Sequence, residues 1–80
     1  MTTDRDLRFV AFVQCFDHNN AGWLDGLNFQ FVNGRLVAWD KHGVQLAEMK
    51  CACHGDAVNC LRRFTSEVFA LPQFVDGGAH

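Results

Sequence analysis

Eighty residues, 49% of them hydrophobic and including eight Phe and two Trp, suffice for one small packed core and leave nothing for a second domain. Seven Lys and Arg against nine Asp and Glu give a net charge of −2, which exerts no long-range pull on phosphate backbones and disfavours direct nucleic-acid binding. No run approaches the ~18 apolar residues of a membrane helix, and residues 1–6 lack the basic end and apolar stretch of a signal peptide, so a cytoplasmic chain with its four cysteines reduced is expected.

The first predicted element is a helix over residues 4–16. Thr3 followed by Asp6 has the spacing of a capping box, and Phe9, Phe12, Val13 and Phe16 fall at i, i+3, i+4 and i+7 on one helical face. A strand competes for the same segment, because Leu7, Phe9, Ala11, Val13 and Cys15 also alternate; it would add a fourth strand to the sheet described below. Residues 17–26 hold the densest cluster of turn formers and are expected to form a loop that Trp23 and Leu24 anchor to the core.

A meander follows over residues 27–53. Leu27, Phe29 and Phe31 alternate with Asn28 and Gln30, and Asn33-Gly34 then supplies the two positive-φ residues of a type I′ hairpin turn. A second turn spans Asp40 to Gly43, with Asp at the place where its carboxylate can accept from the backbone ahead and Gly at the left-handed place. Gly55 and Asp56 supply a break and an N-cap, after which Ala57, Cys60, Leu61, Phe64, Val68 and Leu71 keep helical spacing as far as Pro72. Arg62 and Arg63 lie on the polar side of this helix, with Glu67 one turn beyond Arg63. The fold class is therefore α+β: one domain with a core over residues 4–72, a three- or four-stranded antiparallel meander packed by an N-terminal helix (or strand) and a C-terminal helix, and a flexible tail over residues 73–80.

Two segments carry metal-ligand residues. Cys51, Cys53, His54 and Cys60 form a Cys-x-Cys-His-x5-Cys cluster from which a tetrahedral zinc site can be imagined. Neighbouring Cys53 and His54 would face opposite ways if extended, so small buried thiols are the simpler expectation, and no metal or other cofactor is assigned. The stretch from Phe16 to Asp25 resembles an EF-hand calcium loop. Asp17, Asn19, Gly22, Leu24 and Asp25 match its first, third, sixth, eighth and ninth places, Trp23 offers a carbonyl at the seventh, and the Phe9–Phe16 face resembles the entering helix. Ala21 stands where an oxygen ligand belongs and Asn28 where a bidentate Glu closes the cage, so a polar turn is the expectation there.

The order helix, three-strand meander, helix resembles that of double-stranded RNA-binding domains. Such domains grip phosphates with a lysine cluster at the start of the last helix, where this chain has Gly55, Asp56, Ala57, Val58 and Asn59. Catalysis would need Cys51 or Cys60 as nucleophile with His54 as base and Asp56 as orienter; no oxyanion-type glycine loop accompanies them, and a domain this small has little room for a deep cleft. The chain is thus expected to be no enzyme and to take no small molecule. What remains is a small protein-binding module that covers a surface of a larger protein or ribonucleoprotein complex. Many bacterial and phage-encoded inhibitors, anti-CRISPR proteins among them, are chains of this size; the analogy is one of class only. Asp17, Asp25, Arg35, Lys41 and Trp39 are the expected partner-binding residues, with a zinc module or a nucleic-acid-binding domain as the alternatives.

Overall fold

A computed structural model describes residues 3–75. The order is α1 (Asp4–Asn19), β1 (Ala21–Leu24), β2 (Leu27–Val32), β3 (Arg35–Trp39), β4 (Gln45–Lys50), α2 (His54–Phe69) and a single turn, α3 (Pro72–Val75). The strands form one open antiparallel sheet in the order β1-β2-β3-β4, and the helices cover one of its faces. No helix among the described residues is long and apolar enough to cross a membrane.

The helical reading of the first segment holds over the strand reading. Thr3 Oγ1 accepts from the Asp6 N–H at 3.2 Å while the Asp6 carboxylate accepts from the Thr3 N–H, a complete capping box. Phe12 and Phe16 are buried one turn apart, whereas Leu7, Ala11 and Cys15, which the strand pattern would have placed with the apolar face, form an exposed stripe. The helix runs three residues further than expected and stops at Asn20, whose left-handed φ of 59° suits an Asn C-cap.

The expected loop over residues 17–26 is absent. Asp17 to Asn19 finish α1, and Ala21–Leu24 pair with β2, so the sheet gains its fourth strand here and not from residues 4–16. This register also rules out a calcium loop, because its middle residues are extended and hydrogen-bonded to a neighbouring strand. Asp25 and Gly26, at φ 50° and 84°, make the same kind of turn as Asn33 and Gly34, at 52° and 73°. Relative to the layout of double-stranded RNA-binding domains, β1 is an added strand.

At the third turn Asp40 Oδ1 accepts from the N–H groups of His42 (2.8 Å) and Val44 (2.9 Å). These bonds, that from Val44 foremost, hold the Asp40 carboxyl below the usual carboxylate range. Replacing Gly34 by Val is expected to destabilise the domain by about 1–3 kcal/mol, since a β-branched residue is strained at positive φ. The check is the urea midpoint, and an unchanged midpoint would contradict the strain argument.

The core lies between sheet and helices. Leu27, Phe29, Leu36 and Ala38 from the sheet, with Cys51 just past β4, meet Phe12 and Phe16 of α1 and Ala57, Leu61, Phe64 and Val68 of α2. Between the two helices the Arg62 guanidinium sits 4.5 Å from the centre of the Phe9 ring, covering that edge of the core with a cation–π contact. The start of α2 differs from expectation: Cys53 is the N-cap, and Asp56 lies inside the first turn, where its carboxylate accepts from the Ala52 N–H at 2.9 Å. Residues 73–75, expected as part of a tail, continue the fold, with the Phe74 ring packed edge-on against Phe69 at 5.6 Å. Residues 76–80 of that tail lie outside the described residues.

Candidate functional site

The strand register sorts the sheet into a covered and an open face. Gly22, Phe29, Ala38 and Ala47 form a covered row, so the alternate rows face away from the helices: Trp23, Asn28 and Trp39; Ala21, Gln30, Val37 and Glu48; Val32, Arg35 and Lys50. Val37 marks the division, being only 4% exposed and yet outside the core cluster.

The open face is mixed in chemistry. Trp23 is 61% exposed and Trp39 half-buried, one on each side of Asn28. Gln30 donates to the Asn28 side-chain oxygen at 2.8 Å, which joins the two amides in a polar strip on the same face as the indoles. Trp23, Asn28, Gln30, Trp39 and Lys41 line a shallow, open hollow. At the opposite end of the strands Arg35 pairs across with Lys50 and reaches Glu48 at 3.4 Å, an exposed ion pair of small energetic value.

The residues expected to bind a partner do not form one surface. Trp39 and Lys41 lie at one end of the open face and Arg35 at the other, where it is paired with Glu48. Asp17 and Asp25 belong elsewhere: Asp25, in the β1–β2 turn, accepts from Arg8 of α1 at 3.1 Å, and Asp17, near the end of α1, accepts from His54 Nε2 at 2.8 Å.

The cysteine cluster is also redistributed. His54 turns both ring nitrogens toward α1, Nε2 to Asp17 and Nδ1 to the Asn20 side-chain amide, and stacks on the Phe16 ring, so it joins the helix ends instead of facing a thiol. Cys53 is exposed at the N-cap. Cys51 and Cys60, in contrast, converge with Asp56, a residue the zinc reading had left out. All four cysteines are free. Burial first, then the neighbouring Cys60 and Asp56, push the Cys51 thiol above its ordinary value, which leaves it a protonated, weakly nucleophilic group at neutral pH.

Trp23 is the surface residue that sequence reasoning missed. Its exposure follows from β1 being a strand, and the Asp25-Gly26 pair before Leu27 carried that signal, since Asp-Gly is among the strongest hairpin signatures. Comparison with protein-family models, curated proteins and solved structures finds no match to this chain.

Proposed function

We propose that the chain is a non-catalytic protein-binding module that docks through the open face of its sheet and acts by covering a surface of a larger protein or ribonucleoprotein partner. The observation that carries this reading is the Trp23–Asn28–Trp39 row with Trp23 61% exposed. An indole held in water by a short, paired strand contributes nothing to the core. Buried against a partner it removes ~150–250 Å² of apolar surface from water at little side-chain entropy cost. Trp is also among the residues that most often dominate interface energy. Asn28, Gln30 and Lys41 beside the indoles, and Arg35 and Glu48 at the far end of the same face, supply the polar and charged rim that such interfaces have.

The test is capture from a lysate of the source organism, quantified against single variants. One assembly should be retained by the wild-type chain, with affinity reduced about 30-fold or more by Trp23→Ala, a loss of about 2 kcal/mol, while the thermal melt is unchanged. Retention that ignores Trp23→Ala and Trp39→Ala but is lost on reversing Asp17 and Asp25 would place the interface on the helix side. Failure to retain any assembly would remove the reading altogether.

A further inference from the structure

The corner where β4 hands over to α2 brings two thiols and a carboxylate close together in space. Cys51 lies just past β4, its N–H donating to the Gly34 carbonyl at 3.0 Å, and it is buried. Asp56 and Cys60 lie one helical turn apart on α2 and therefore share a face of it. The two sulfurs and a carboxylate oxygen all stand within 4.8 Å of one another. One Asp56 oxygen is committed to the Ala52 N–H at 2.9 Å, which orients the carboxylate and leaves the other oxygen toward Cys60 Sγ at 4.0 Å.

We propose that Cys51, Asp56 and Cys60 form a binding site for a thiophilic divalent cation, zinc by its ligand chemistry, that joins the end of β4 to the first turns of α2. Ligand atoms around tetrahedral zinc stand about 3.5–3.8 Å apart, given bonds of ~2.3 Å to sulfur and ~2.1 Å to oxygen. The three ligand atoms lie within 4.8 Å of one another, so binding requires them to draw in by about 1 Å. Two sulfurs and one carboxylate exclude calcium and magnesium, which require a shell of oxygens. Three protein ligands leave the fourth tetrahedral position to water.

Charge gives the same answer. Two thiolates beside a carboxylate in a half-buried corner repel one another, and a divalent cation held between them offsets that repulsion. Zinc binding releases both thiol protons, forms two Zn–S bonds and one Zn–O bond, and reduces the net charge of the ligand set from −3 to −1 in its ionised form. That residual negative charge sits at the N-terminal end of a 16-residue helix, where the backbone N–H groups favour it. The ligand set differs from the Cys-x-Cys-His-x5-Cys pattern: Asp56 replaces both Cys53, which is exposed, and His54, which is engaged with Asp17 and Asn20.

Cobalt titration of the fully reduced 80-residue chain tests the site, followed by zinc displacement. One equivalent of Co²⁺ should produce visible bands of tetrahedral intensity together with a near-ultraviolet thiolate-to-cobalt charge-transfer band, and Zn²⁺ should abolish both. Cys60→Ser, shown by circular dichroism to be folded, should lose the charge-transfer band or halve it with at least tenfold weaker binding. Asp56→Asn, which retains an acceptor for Ala52, should weaken binding about tenfold or more. Cys53→Ser and Cys15→Ser should titrate as wild type. Absence of a charge-transfer band in the wild-type chain, an unchanged titration in Cys60→Ser or Asp56→Asn, or loss of binding in Cys53→Ser would each overturn the proposed ligand set.

Discussion

Replacing Phe29 by Ala is expected to cost about 3–5 kcal/mol of folding stability, the largest loss from any single substitution considered. Phe29 comes from the centre of β2, is fully buried, and is the sheet ring on which both helices converge. It meets Phe12 of α1 at 5.3 Å and Phe64 of α2 at 5.9 Å, both edge-on, and Phe69 at 6.4 Å. Edge-to-face pairs contribute about 0.5–1.5 kcal/mol each beyond the area they bury, so truncation loses packing and several such pairs together. An 80-residue domain has roughly 4–12 kcal/mol of total stability, and Phe29→Ala should therefore be largely or wholly unfolded well below the wild-type urea midpoint. Phe29→Leu, which preserves most of the volume, should lose markedly less. A Phe29→Ala midpoint close to wild type would mean that α1 and α2 do not share one core.

The second large effect concerns Gly22, directly opposite Phe29 in the β1–β2 register. A Cβ at Gly22 would stand 3.0 Å from Cδ1 and 3.1 Å from Cε1 of Phe12, with the Phe12 carbonyl oxygen at 3.5 Å. Phe12 is 4% exposed and packed against Phe9, Phe16 and Phe29, so its ring has nowhere to retreat. Gly22→Val is expected to destabilise by about 2–3 kcal/mol, toward the upper end of the overpacking range, with Gly22→Ala intermediate. The two sites share the Phe12 ring and should be coupled. In the Phe29→Ala background the ring can shift into the vacated space, so the double substitution should cost less than the sum of its parts. Strict additivity in urea midpoints, or a neutral Gly22→Val, would argue against close packing of α1 on β1.

How much of this was legible depended on where each feature's energy arises. The Thr3–Asp6 cap, the Asn33-Gly34 turn and the Asp40 turn with its oriented carboxylate are each complete within a few consecutive residues, and all three are formed as expected. The long apolar face of α2 is legible for a related reason: a helix of 16 residues repeats its pattern often enough to be unambiguous. Its N-cap was misplaced because Asp56 satisfies a backbone N–H from inside the first turn, a role that composition does not distinguish from capping.

The α+β class, the two helices, the meander and the alternation that sends Leu27 and Phe29 inward were thus determined by local preference and hydrophobic period. Tertiary structure alone decided the remainder. Ala21–Leu24 is too short, and too poor in β-branched residues, to declare itself a strand; it becomes one because β2 supplies its hydrogen bonds and the bare Cα of Gly22 admits the Phe12 ring. Trp23 is then exposed by alternation, since the helices cover the face that Gly22 and Phe29 occupy, and no single-strand pattern records which face that will be. In the same way Cys51 meets Cys60 and Asp56, while His54 next to them turns to Asp17 and Asn20, more than thirty residues earlier in the chain. Which side chains converge is set by the packing of whole elements, a sum of many weak contacts between residues far apart in sequence, and that sum is formed only in the folded chain.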